Sequence, residues 1–165
     1  MFKHKQLRTT VIQPALNLIG LYSLYAEELL IATCAIESYG GTYLVQSGSG
    51  PARGIYQMEP VTHAYLWQQI KKHQPLIKQR ILAGCGYAKE PTADTLTINL
   101  LYASMMARML YFIRIPNNFP KNIDPDKLWA HYKQYWNTSQ GKSTKEHFLS
   151  AYYHFIGGHS AEKKV

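Results

Sequence analysis

The chain has 165 residues, 46% of them hydrophobic and 17% charged, with a net charge of +8 at neutral pH. That length suits one domain whose core can stand without disulfide support, and that composition excludes a disordered or low-complexity chain. The excess of lysine and arginine favours an anionic partner, whether nucleic acid, acidic lipid or cell wall. The basic residues are scattered, however, and form no zinc-finger or RNA-binding signature, so no nucleic-acid partner is expected.

The basic start, Met-Phe-Lys-His-Lys-Gln-Leu-Arg, is followed by no sustained apolar run and makes a poor signal peptide. A short helical turn is expected over 14–21. Ser23 then reads as the N-cap of a helix from Leu24 to Ser38, with Glu27 and Glu28 near its positive end. The apolar stretch from Leu29 to Ile36 should bury that helix and deliver Glu37 to the edge of the core. From Gly40 to Met58 the glycine and serine content opposes a helix, and an irregular loop with a short strand at 43–46 is expected. Gly48-Ser49-Gly50 lacks the lysine and spacing of a phosphate loop.

Pro60 or Thr62 opens the next helix, and Pro75 opens another that ends at Gly84. Asp94 or Thr95 should cap a long central helix from Thr97 to Arg114, apolar on several faces and terminated by Pro116. This stretch is interrupted by Asn99, Ser104 and Arg108, so a buried helix fits better than a membrane span. Met105, Met106, Met109 and Trp67 read as core. Asp124-Pro125 pairs an N-cap with proline at the first helical position, launching a helix through Trp136. Ser143-Thr-Lys-Glu146 matches a capping box for a last helix over 148–155, stopped by Gly157-Gly158. One domain over 1–158 and a flexible tail over 159–165 are expected. Cys34 and Cys85 have no metal-ligand spacing, and the seven histidines form no metal-binding motif, so neither metal nor other cofactor is expected.

Glu37 is the best catalytic candidate. Desolvation at the edge of the core and the negative end of its own helix should both raise its pKa, and a carboxylic acid protonated near neutrality can protonate a departing glycosidic oxygen. The competing reading makes it a solvated helix-end residue ahead of Gly40-Gly41. Gln57 can donate to and accept from a sugar or the catalytic carboxyl, or simply tie down its loop. Tyr56 can stack on a sugar or pack in the core. Glu59 is either a second carboxylate that activates water or a favourable charge ahead of a helix.

Glu37-Ser38 at a helix end, followed by Gly54-Ile55-Tyr56-Gln57 and Pro60, resembles the lysozyme-like superfamily of lytic transglycosylases and goose-type lysozymes, in a phage or prophage branch. In that family the glutamate of the Glu-Ser pair is the acid and the Gly-Leu-Met-Gln-like segment lines the sugar cleft; here Ile55 and Tyr56 replace leucine and methionine. The family's Ala-Tyr-Asn signature is not met cleanly, because Ala130-His131-Tyr132 is followed by Lys133 and Asn137 comes later. The resemblance implies a mainly α, α+β lysozyme-like fold, with a helical bundle around a central hydrophobic helix and a small irregular β/loop segment at 40–58. It also implies cleavage of the β-1,4 bond between N-acetylmuramic acid and N-acetylglucosamine. Glu37 is then the general acid and base, Glu59 the second carboxylate candidate, and Ser38, Gly54, Tyr56, Gln57 and Tyr132 the substrate-binding candidates. The expected partner is the peptidoglycan glycan strand, bound by a monomer. Without an export signal, the enzyme would be made in the host cytoplasm and reach the wall in a virion or at lysis. Two other classes remain open: a non-catalytic phage structural or wall-binding protein, and a basic nucleic-acid-binding helical protein.

Overall fold

The computed structural model describes residues 1–46, 48, 50–137 and 141–157. Among the described residues the architecture is mainly α, without a sheet. In chain order it comprises α1 (His4–Leu7), a π-helical turn (Arg8–Ile12), α2 (Gln13–Leu18), α3 (Leu24–Ser38), α4 (Pro60–His73), α5 (Pro75–Cys85), α6 (Thr95–Ile98), α7 (Leu100–Arg114), α8 (Pro125–His131), a second π-helical segment (Tyr132–Asn137) and α9 (Lys145–Ile156).

Helix α7 is the central helix, packed against α2, α3, α4, α5, α6 and both π-helical segments. Helix α3 packs against α7, α8, α9 and the first π turn, and Leu29 through Ala35 are all buried. Such burial on every side requires an apolar sequence without a polar stripe, which is what this segment supplies. Ser23 caps it, its Oγ accepting from the Ala26 amide at 3.0 Å. Thr33 disposes of its hydroxyl by donating to the Leu29 carbonyl and pairing with the Tyr111 hydroxyl of α7, each at 2.7 Å. Met105, Met106 and Met109 of α7 are fully buried, and Trp67 is core, its indole N–H donating to the Tyr102 hydroxyl at 2.9 Å. Cys34 is buried, Cys85 is half-buried, and both thiols are free.

Several boundaries differ from expectation. The start of the chain is helical from His4, where only a turn over 14–21 is expected; its anchor is tertiary. Arg8 reaches Glu27 at 3.0 Å and Glu28 at 2.7 Å, Gln13 donates to Glu27 at 3.0 Å, and the Tyr152 hydroxyl of α9 donates to Glu28 at 2.7 Å. Both glutamates are buried, so they are ion-pair partners rather than solvated first-turn charges. The long central helix is divided: α6 ends at Ile98, and Asn99 caps α7, its Oδ1 accepting from the Tyr102 amide at 2.9 Å. The cap of α9 is Thr144, one residue past the predicted Ser143, with its Oγ accepting from the His147 amide at 3.2 Å. Glu90 faces Lys71 at 3.1 Å and Lys78 at 3.8 Å, which joins the connector after α5 to α4 and α5. The expected strand over 43–46 reduces to isolated antiparallel bridges, Val45 to Arg53 and Arg53 to Met58. The tail predicted over 159–165, like Gly158, lies outside the described residues. Among the described residues, no helix is long and apolar enough to cross a membrane, and no cluster of histidine, cysteine, aspartate or glutamate could hold a metal ion.

Candidate active site

Helix α3 ends at Ser38 because Tyr39 enters the left-handed region, at φ 53°, and the two glycines behind it follow suit. That ending places Glu37 on the last turn, half-buried, at the mouth of two adjoining hollows of 560 and 410 Å³. Both are lined by Glu37, Gln46, Gln57 and Glu59. The larger also takes in Arg114 of α7 and Trp136 and Asn137 of the second π segment.

Burial pushes the Glu37 carboxyl up to about 7, only partly opposed by the hydrogen bond it accepts. The donor is Tyr132, whose hydroxyl lies 2.8 Å from Glu37 Oε1. Tyr132 is itself buried, stacked on Phe148 of α9 at 5.0 Å between ring centroids. Behind it, Ser143 Oγ sits 3.4 Å from the Tyr132 hydroxyl. Lys133 holds this side of the cleft together. Its ammonium donates to Asn137 Oδ1 at 2.8 Å, to the Gly141 carbonyl at 2.7 Å and to the Ser143 carbonyl at 3.3 Å. Arg114 adds a further tie, Nη1 donating to the Tyr135 carbonyl at 2.7 Å.

The opposite wall is the segment 53–59. Arg53 and Met58 exchange backbone hydrogen bonds at 2.9 and 3.0 Å, closing a tight loop over Gly54 to Gln57. Gln57 sits in the left-handed region at φ 48°, a conformation that costs a non-glycine residue about 1 kcal/mol or more. Two bonds to the Gly54 carbonyl hold it there, from its backbone N–H at 3.0 Å and from Nε2 at 2.8 Å. Gln57 therefore both lines the hollow and fastens its own loop.

The substrate-binding candidates divide. Ser38 is fully buried, and its hydroxyl is used internally: it is 2.6 Å from the Ile55 carbonyl and 3.1 Å from the Cys34 carbonyl, and accepts from the Gly41 amide at 2.9 Å. Its place in the Glu-Ser pair is thus structural, joining the end of α3 to the 53–59 loop. Tyr56 is buried too, its hydroxyl 2.9 Å from Ser104 Oγ and its ring against Trp136, so it offers no surface to a ligand. Gly54, at φ 74°, packs so tightly that an added Cβ would fall on the Leu96 carbonyl oxygen; its close approach is to α6. Gln57 and Tyr132 remain at the site, Tyr132 as the residue that positions Glu37. Glu59 precedes α4, makes no side-chain cap, and is exposed on the same hollows as Glu37.

Gln46, Arg114 and Asn137 also line the larger hollow, and the sequence does not single them out as site residues. Gln46 lies in a loop closed by its own pairing with Ala52, which no motif announces, and Arg114 reads in sequence as the polar end of a buried helix. Asn137 carried a signal, as the asparagine displaced from the Ala-Tyr-Asn pattern; the π-helical winding of 132–137 brings it to the cleft beside Tyr132 and Lys133.

No protein-family model, curated protein or solved structure matches this chain. Chemically, the site offers one carboxyl that is half protonated near neutral pH, an aromatic hydroxyl that fixes its orientation, and a polar hollow beside it. That set can deliver a proton to a departing oxygen and recover one afterwards.

Proposed function

We propose that this protein is a peptidoglycan-degrading enzyme that cleaves the β-1,4 bond between N-acetylmuramic acid and N-acetylglucosamine, with Glu37 as the general acid and base. The observation that carries this reading is Glu37 itself: half-buried, pushed up to about 7 and oriented by Tyr132 at the edge of an open cleft. The resemblance of Glu37-Ser38 and Gly54 to Gln57 to the lysozyme-like superfamily supports it independently.

In the first step the C1–O bond breaks as the Glu37 carboxyl gives its proton to the leaving C4 oxygen. The resulting carboxylate then takes a proton from the nucleophile that attacks C1. With one carboxyl serving both steps, the muramoyl 6-hydroxyl is the expected nucleophile and an anhydro end the product. Glu59 favours a second product class, because it lines the same hollows and a second carboxylate can activate water. The protein would meet the wall from a virion or at host lysis, and its net charge of +8 suits an anionic wall.

Mass spectrometry of purified peptidoglycan digested by the wild type, Glu37→Gln and Glu59→Gln tests this. Anhydro-muramoyl ends from the wild type and Glu59→Gln, absent with Glu37→Gln, are expected. Reducing ends that vanish in both variants would make the enzyme a hydrolase with Glu59 as its second carboxylate. No soluble fragments from walls of either Gram type would overturn the enzymatic reading.

A further inference from the structure

A hollow of 690 Å³, sharing no residue with the Glu37 cleft, lies between the turn before α3, the C-terminal half of α7 and the segment 115–121. At its wall stands Arg108, only 8% exposed. Its Nε donates to the Leu21 carbonyl at 3.0 Å, while Nη1 is buried with no partner among the described residues. The Phe119 ring covers the guanidinium carbon at 4.6 Å, and Phe112 flanks it at 5.7 Å. Burial pulls the Arg108 pKa down to about 10, which leaves it charged at neutral pH.

A buried guanidinium without a counter-charge is strongly unfavourable, and no aspartate or glutamate lines this hollow. Two further features of its lining are electropositive. Leu24 and Tyr25 belong to the first turn of the fifteen-residue α3, whose leading amides have no acceptor in their own helix and mark its positive end. Exposed Lys121 stands at the rim. Ile115, Pro116, Phe119 and Pro120 supply apolar wall.

We propose that this hollow binds a small carboxylate bearing an apolar group, with the Arg108 guanidinium as its ion-pair partner and the apolar wall around its body. The planar fork of a guanidinium matches a planar carboxylate, and apolar walls suit a monoanion with a hydrophobic body better than a strongly hydrated phosphate.

Isothermal titration of the full chain at fixed ionic strength, with benzoate, its neutral counterpart benzamide and inorganic phosphate, tests the assignment. Benzoate is expected to bind saturably at one site. Benzamide and phosphate should each bind at least about tenfold more weakly, the loss of a hydrogen bond to a charged group. Arg108→Lys should weaken benzoate by about tenfold or more, and Lys121→Ala, an exposed position that leaves the fold untouched, by about twofold to fivefold. Glu37→Gln should bind benzoate like the wild type, which separates this hollow from the cleft. Absence of saturable benzoate binding would overturn the proposal. So would equal or tighter binding of benzamide or phosphate, an unchanged affinity in Lys121→Ala together with Arg108→Lys, or loss of binding in Glu37→Gln.

Discussion

Under the proposed mechanism the raised pKa of Glu37 aids catalysis, while in the fold it costs stability. Its carboxyl ordinarily titrates at 4.5 and here near 7, so the folded protein holds a proton that the unfolded chain releases. Stability contributed at this position is greatest below pH 4.5 and falls as pH rises to 7, because ionising the carboxyl where it sits is unfavourable. Glu37→Gln should therefore unfold at higher denaturant than the wild type above pH 7, by up to about 3 kcal/mol, and show no gain at pH 4. The same substitution should lower the rate of wall degradation about 10²-fold or more. Tyr132→Phe removes the donor that favours the carboxylate form. The alkaline limb of the rate profile, which reports loss of the acid, should then move to higher pH while the maximal rate drops. An unshifted limb would mean that Tyr132 only packs.

At the scale of elements, the helix starts were legible where one residue decides them. Ser23, Pro60, Pro75 and Asp124-Pro125 act locally, and each begins a helix where the sequence places it. The early helix was hidden because its reason lies far away: Thr9, Thr10, Val11 and Pro14 are poor helix formers, and Arg8 is held by carboxylates about twenty positions later. In the sequence Asn99 reads as an interruption rather than a cap, because the bend that turns its Oδ1 to the Tyr102 amide comes only with the fold. Glu37 could be found from the apolar run before it, whereas the internal uses of Ser38 and Tyr56 needed the 53–59 loop and α7 in place. Gly54→Ala should test how closely that loop is fitted. With a left-handed φ and the Leu96 carbonyl in the way, it is expected to cost about 2 kcal/mol or more by denaturant titration, and to reduce wall degradation through displacement of Gln57.

Across the whole molecule, the clasp of Arg8 with Glu27, Glu28 and Tyr152 joins the start of the chain, α3 and the last helix α9. Arg8→Met would leave two buried carboxylates without their cation. It should destabilise the protein by about 3–5 kcal/mol at neutral pH, read by denaturant titration. The net charge of +8 acts at longer range. Degradation of intact, anionic walls should slow when salt is raised from about 50 to about 500 mM, while cleavage of short uncharged glycan fragments should change little.

The π-helical winding from Tyr132 to Asn137 has a consequence for how such a cleft is tuned. A π turn carries one more residue than an α turn, and it commonly marks a functional site. Removing exposed Gln134 would return the backbone to ordinary α register with Trp136 and Asn137 close to their present directions, because the π turn has already absorbed the extra residue. Rewinding the same six residues as α without the deletion would instead swing Asn137 by nearly one residue step, about 100° around the axis. The shortened chain should hold its helix more firmly while the side chains around Glu37 keep their directions.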